Sequence, residues 1–296
     1  MKMLKAAAIA VLVVLTAVPA AARELPKFYA DMNAPVAPFR ISDDIYYVGA
    51  SDVTSFLIVT DAGLIVTDGG FAETAPQILA NIKTLGFDPK NVKILLNSHA
   101  HFDHDGGLAA LKAATGARFL ASRGDAPVLE SGGESDFANL GPLHRIAPIK
   151  LDGYLADGEK LTLGHTALTI HLTPGHTRGC TSWSMTTHIA GKPERVLFIC
   201  SLTVLPDYSL VKKPSYPGIA ADYAHSIALL RSLPCDVMLA SHGSFFHLAE
   251  KRAALATNPA AFVDPASCKT YLDQADAAYR AALAKESGGE GRETQM

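Results

Sequence analysis

Short apolar runs bounded by glycine, proline or aspartate alternate along this chain with longer stretches rich in alanine and leucine. Ile45 to Val48 and Ser55 to Val59 have the composition of strands, and a third run, Leu64 to Thr67, ends in the turn Asp68-Gly69-Gly70. Helix formers fill Thr74 to Leu85, Gly86 stops them, and the apolar strand Val92 to Leu96 follows. Leu108 to Ala114 predicts another helix and Ala117 to Ala121 another strand, so the first half reads as a β-rich layer feeding βαβ units. The second half echoes it, with strands at Lys160 to Leu163, Thr166 to Leu172 and Val196 to Ile199, a helix over Asp222 to Leu233, and a strand from Asp236 to Ala240. This is the pattern of an α/β fold with two sheets packed between helices. Pro265 to Lys285 predicts a C-terminal helix, and the Gly-rich polar tail from about Ser287 is expected to fray. Ser122 to Pro148 is polar and interrupted by Gly132-Gly133, which predicts a long surface loop with room for one helical turn, of the kind that often serves as a lid.

The N-terminus changes the picture. Lys2 and Lys5 precede an apolar run from Ala6 to Val18, and Pro19-Ala20-Ala21-Ala22 stands before Arg23. Residues 1–22 therefore read as a secretory signal peptide, leaving 23–296 as a single domain large enough for one substantial core. The apolar run is shorter than a membrane span requires, so a periplasmic protein without membrane attachment after cleavage is expected, an uncleaved anchor being the alternative. A formal net charge of −3 gives no reason to expect nucleic acid or an anionic membrane as partner. Export also favours pairing of the four cysteines, Cys180, Cys200, Cys235 and Cys268. Four cysteines allow three connectivities, among which spacing does not choose, and the absence of a Cys-x-x-Cys argues against a thiolate metal site.

The densest chemistry lies in Asn97-Ser98-His99-Ala100-His101-Phe102-Asp103-His104. On extended backbone, residues two apart share a face, so His99 and His101 can grip one ion together; Asp103 keeps that parity, and His104 joins only if the chain turns, which Asp105-Gly106-Gly107 allows. Imidazole and carboxylate suit zinc, and four donors in so short a loop exceed what one catalytic ion needs while keeping a water, so two ions are expected. His176, in Thr173-Pro174-Gly175-His176-Thr177, and His242, in Ser241-His242-Gly243, each follow a strand and complete an inventory of five histidines and one aspartate. His144, His165, His171, His188, His225 and His247 lack that setting and read as surface or packing residues.

The motif His99-Ala100-His101-Phe102-Asp103-His104, the run Pro174-Gly175-His176-Thr177-Arg178-Gly179 and Ser241-His242-Gly243 together resemble the metallo-β-lactamase superfamily. That resemblance implies a four-layer αβ/βα sandwich with two Zn2+ ions at one edge, His99, His101 and His176 holding the first and Asp103, His104 and His242 the second. Glyoxalase II and the lactonases carry a bridging aspartate where this chain has Phe198-Ile199-Cys200-Ser201-Leu202-Thr203, and with His104 in place of a thiolate ligand the pattern is similar to the third subclass of class B enzymes. It implies a small-molecule β-lactam substrate hydrolysed by a metal-bound hydroxide that Asp103 helps orient, with antibiotic resistance as the consequence. A thioesterase or lactonase on the same site is the alternative, and a non-catalytic zinc protein a more distant one. By the same resemblance Ser201 and Thr203 would bind the substrate carboxylate, their other reading being ordinary strand-end hydroxyls, and Asp68 would brace the metal loop, its other reading being a turn cap. Cys235 with Cys268 follows from that subclass; Cys180 with Cys200 is expected because both lie near the metal-bearing edge. The enzyme is expected to act as a monomer.

Overall fold

The computed structural model describes residues 24–138 and 141–287. The expected signal peptide and most of the expected frayed tail lie outside the described residues. β1 (Phe39–Arg40), β2 (Ile45–Tyr47), β3 (Phe56–Thr60), β4 (Gly63–Thr67), β5 (Val92–Leu96), β6 (Arg118–Ser122) and β7 (Gly153–Leu155) form one sheet in sequential order. Pairing is antiparallel from β1 to β4 and parallel from β4 to β7. α2 (Ala75–Thr84) and α4 (Leu108–Thr115) make the crossovers that parallel strands require.

Period-two alternation decides which way each strand faces. Phe56, Ile58, Ile65, Ile94 and Leu96 join one buried cluster, whereas Leu57, Leu64, Val66, Val92 and Leu95 join another with Ile78, Ile82, Leu108 and Leu111 of α2 and α4. The first cluster is shared with the second sheet, ordered β12 (Val237–Ala240), β11 (Lys192–Ile199), β10 (Thr181–Ile189), β9 (Thr166–Leu172) and β8 (Lys160–Leu163). All its pairings are antiparallel except β11 with β12. α6 (Ile219–Ser232) and α8 (Pro265–Ser287) pack on each other, and α8 on β12. The result is the expected α/β sandwich: helices, sheet, sheet, helices. Four short helices complete the set: α1 (Lys27–Met32), α3 (Phe102–Asp105), α5 (Ala126–Ser131) and, beyond β12, α7 (Leu248–Ala254).

Two departures from the sequence reading matter. β10, flanked by β9 and β11, was passed over because Ser182, Ser184, Thr186 and His188 alternate with only three large apolar residues. The stretch expected to be a loop from Ser122 is folded at its start: α5 buries Ala126 and Leu129, and Asp125 is only 2% exposed. The sulfurs of Cys180 and Cys200, and of Cys235 and Cys268, stand at bonding distance with Cα separations of 5.9 and 6.5 Å, and no free cysteine remains among the described residues.

Candidate metal centre

The six predicted donors all stand beyond the carboxyl ends of strands. β5 leads through Asn97 and Ser98 to His99 and His101, β9 through Thr173-Pro174-Gly175 to His176, and β12 through Ser241 to His242. His101 is still extended, at φ −117° and ψ 144°, and α3 begins at the next residue. The turn therefore starts at Phe102, before the glycines the sequence pointed to, and Asp103 owes its direction to a helical turn rather than to strand parity. The glycines serve a different purpose. A Cβ on Gly107 would stand 2.2 Å from the Gly69 carbonyl oxygen, so only glycine lets the turn after α3 lie against the turn after β4. Gly69 N–H donates to the His104 carbonyl across this contact at 2.7 Å.

One potential ligand atom from each of His99, His101 and His176 lies within 4.8 Å of the other two, and Asp103, His104 and His242 form a second such group. The His99 and His104 rings, 4.2 Å apart between centroids, join the groups. Each loop is held by a carboxylate, buried at Asp68 and Asp125 and partly exposed at Asp52. Asp68, left-handed at φ 56°, accepts from Ser98 N–H at 2.7 Å and Asn97 Nδ2 at 3.2 Å. Asp125 accepts from Ala100 N–H at 2.9 Å, Thr177 Oγ1 at 2.9 Å and Gly179 N–H at 2.8 Å, tying the His99–His101 loop to the His176 loop. Asp52 meets His242 Nδ1 at 3.0 Å and accepts from Ser244 N–H at 2.7 Å. Burial pushes both Asp68 and Asp125 up to about 6. Sequence reasoning found Asp68 and missed the other two; Asp125 shares one signal with the donors, a carboxylate just past the end of β6.

These contacts also orient the imidazoles. His176 Nδ1–H donates to the Thr203 carbonyl at 2.7 Å, and the Asp52 carboxylate takes the Nδ1–H of His242, leaving Nε2 of each ring as a lone pair. Burial, reinforced by neighbouring imidazoles, pushes His99 and His176 well below their usual range, so both are neutral and able to coordinate. Burial alone would raise Asp103, but His104, His242 and His101 outweigh it and hold the carboxylate ionised.

The group fits a tetrahedral cation. His104 Nε2 lies 3.1 Å from His242 Nε2 and 3.3 Å from Asp103 Oδ2, which is 3.6 Å from His242 Nε2. Zinc with ligands at about 2.0–2.1 Å needs separations of about 3.3–3.4 Å. His99 Nε2 and His101 Nε2 are buried without a hydrogen-bond partner, a costly condition unless a cation takes the lone pairs.

The two groups open into a cavity of about 360 Å³. Ser201 and Thr203 line it, Ser201 nearly buried and Thr203 exposed. His144 also lines it and packs edge-on against Phe102 at 4.2 Å, in keeping with a packing residue that also faces the cavity. Residues 48–242, spanning both groups, match the model of the metallo-beta-lactamase superfamily. The chain belongs to that superfamily. Among solved members, the native FEZ-1 metallo-beta-lactamase from Legionella gormanii is 43% identical, with a TM-score of 0.84, and the match covers 86% of this chain and 98% of that one. BJP-1, a subclass B3 metallo-beta-lactamase of Bradyrhizobium japonicum, is 36% identical with a TM-score of 0.82, over 88% of this chain and 98% of that one. The hydroxyacylglutathione hydrolase of Rhodospirillum rubrum is 27% identical over 200 residues, 67% of this chain and 61% of that protein. The chain spans about half to three fifths of the length of the curated relatives it matches first.

Proposed function

We propose that this protein is a zinc-dependent β-lactamase of the third class B subclass, in which His99, His101 and His176 hold one Zn2+ and Asp103, His104 and His242 a second. The observation that carries this reading is the pair of adjoining three-donor groups with no carboxylate common to both among the described residues. A bridging acid would favour a thioesterase. The similarity supports the same choice, since it spans nearly the whole of the solved β-lactamases but only part of the hydroxyacylglutathione hydrolase.

Zinc at these positions would acidify a water to a pKa of about 7 and polarise the lactam carbonyl. The chain's own contribution is positional. Asp103, kept ionised among imidazoles, accepts a hydrogen bond from the attacking water and aims it at the carbonyl carbon. Ser201 and Thr203 donate to the substrate carboxylate from the cavity wall. Asp68, Asp125 and Asp52 keep the donor loops in register, so little reorganisation accompanies reaction. The pattern of residues 1–22 and the two cysteine pairs support a periplasmic location, and among the described residues no helix is long and apolar enough to cross a membrane.

The alternative, a thioesterase acting on a glutathione thioester, is favoured by the names of the curated relatives. Purified zinc-loaded protein assayed on a penicillin, a cephalosporin, a carbapenem and S-lactoylglutathione separates the two. Ring opening that disappears on exhaustive chelation and returns with zinc is expected, with the thioester inert. Turnover of the thioester alone, or β-lactam hydrolysis undiminished without metal, overturns the proposal.

A further inference from the structure

The histidines and Asp103 form one side of the cavity; the rest is mostly apolar, and much of that comes from α1. Phe28, Tyr29 and Met32 line it from this helix, facing Leu205 and Phe245. α1 is firmly seated. The Met32 carbonyl accepts from Asp52 N–H and Val53 N–H at 3.0 and 3.3 Å, and the Ala34 carbonyl from Ser51 N–H at 2.9 Å. Tyr29 packs edge-on against Phe102 at 5.1 Å and against Phe71 at 5.8 Å. Because Asp52 also holds His242, the helix is joined to the proposed metal site through one residue.

Phe28 shares none of this burial. It is 70% exposed, more than any other large hydrophobic among the described residues, and it stands at the cavity mouth on a fixed backbone. A phenyl ring held in water at the edge of an apolar wall gains free energy only when something apolar covers it. No lysine or arginine lines the cavity, so this wall offers nothing to an anionic substituent. It offers aromatic faces and edges from Phe28, Tyr29, Phe102, His144 and Phe245, which favour a ring over an aliphatic chain.

We infer that Phe28 is a specificity-determining residue, forming with the Tyr29–Phe102 wall a subsite for an aromatic side chain of a β-lactam. The inference rests on the β-lactamase reading above and adds the class of substituent selected. Contact with such a ring persists unchanged from ground state to transition state, so it lowers KM and leaves kcat alone.

Benzylpenicillin and 6-acetamidopenicillanate differ only by the phenyl ring and carry the same scissile bond. The zinc-loaded protein should show a KM about five- to tenfold lower for benzylpenicillin, as expected for a partly covered ring. Phe28→Ala should bring that ratio close to one with kcat unchanged, and Phe28→Leu should restore part of it. Phe28 makes no buried contact to lose, and thermal melting of both variants checks that the fold is intact. Equal KM values in the unsubstituted protein, or a ratio unaffected by Phe28→Ala, overturn the inference while leaving the β-lactamase reading standing. A ratio unaffected while Phe28→Ala abolishes concentration-dependent self-association also overturns it, since the patch would then cover a second copy of the chain. If neither penicillin is hydrolysed, the β-lactamase reading is left to the cephalosporin and carbapenem assays, and titration with the two pre-opened penicilloates decides the subsite: tighter binding of the phenyl compound, lost in Phe28→Ala, supports it, and equal binding overturns it.

Discussion

Asp125→Ala removes an acceptor that three donors share, the Ala100 and Gly179 amides and the Thr177 hydroxyl, at a position 2% exposed. The hydroxyl can rotate to another partner; the two amides cannot, and each orphaned buried donor costs about 1–3 kcal/mol. Part of that is offset, because burial already pushes the Asp125 carboxyl up to about 6 and alanine no longer has to hold a desolvated charge. A net loss of about 2 kcal/mol follows, or roughly 4–8 °C in melting temperature for a domain of this size. The more specific consequence is for metal. Asp125 couples the backbone beside His99 and His101 to the backbone beside His176, so its loss lets those donors drift apart while Asp103, His104 and His242 stay held by Asp52 and α3. Zinc affinity of the three-histidine group should fall about tenfold, the low end of what loss of an outer partner costs, with the other group unchanged. Titration against a chelator of known affinity, alongside calorimetric melting, reads both quantities. Unchanged melting and unchanged affinities would refute the coupling. An equal fall at both groups would show general loosening instead.

The converse experiment is His104→Ala, which should weaken the Asp103–His242 group at least a hundredfold while the three-histidine group binds as before; two unchanged zinc affinities would contradict the assignment of His104. Non-reducing peptide mapping of protein recovered from the periplasm should find Cys180 with Cys200 and Cys235 with Cys268, and free thiols at either pair would refute that bridge. Cys235→Ser should cost up to about 4 kcal/mol in the chain-entropy model for a separation of 33 residues, and a melting temperature equal to that of the unsubstituted protein would refute this estimate.

What could be read from the sequence was whatever local pattern alone determines. Donors at strand ends announce themselves, because a histidine following Val92 to Leu96 or Asp236 to Ala240 has few packing roles open to it. Apolar runs likewise identified the inner strands β2 to β6 of the first sheet, whereas the short edge strands β1 and β7 carry too few apolar residues to show. β10 escaped because its inward positions are spread over Trp183, Met185 and Ile189 among hydroxyls, and the left-handed Ala190 hides the turn into β11. α1 escaped because six residues with no buried member carry no periodicity. Asp52 and Asp125 could not be assigned from spacing: each acts on residues far along the chain, and an isolated aspartate in a polar segment looks like a solvated one. The brace from His176 to Thr203 uses a main-chain carbonyl, which has no signature in sequence at all.

The buried carboxylates and imidazoles together favour a cation at this site. Asp68, Asp103, Asp105 and Asp125 lie within one region, all buried except the slightly open Asp103, and Asp103 pairs with His104 and His242. Burial and the neighbouring acids push Asp105 well above the carboxylate range, and its Oδ1 has no hydrogen-bond partner. Despite its burial, His104 is held above its usual range by Asp103, whereas burial and mutual repulsion drive His99 and His176 the other way. His99 and His176 therefore keep their lone pairs, and the ionised Asp103 beside them adds a negative charge, both of which a multivalent cation would relieve. Part of any metal's binding free energy would therefore be returned as stability of the fold, which couples each brace to the donors it holds. A substitution at a brace such as Asp125 then acts on stability and on metal affinity through the same loops, and measuring both separates the structural contribution from the chemical one.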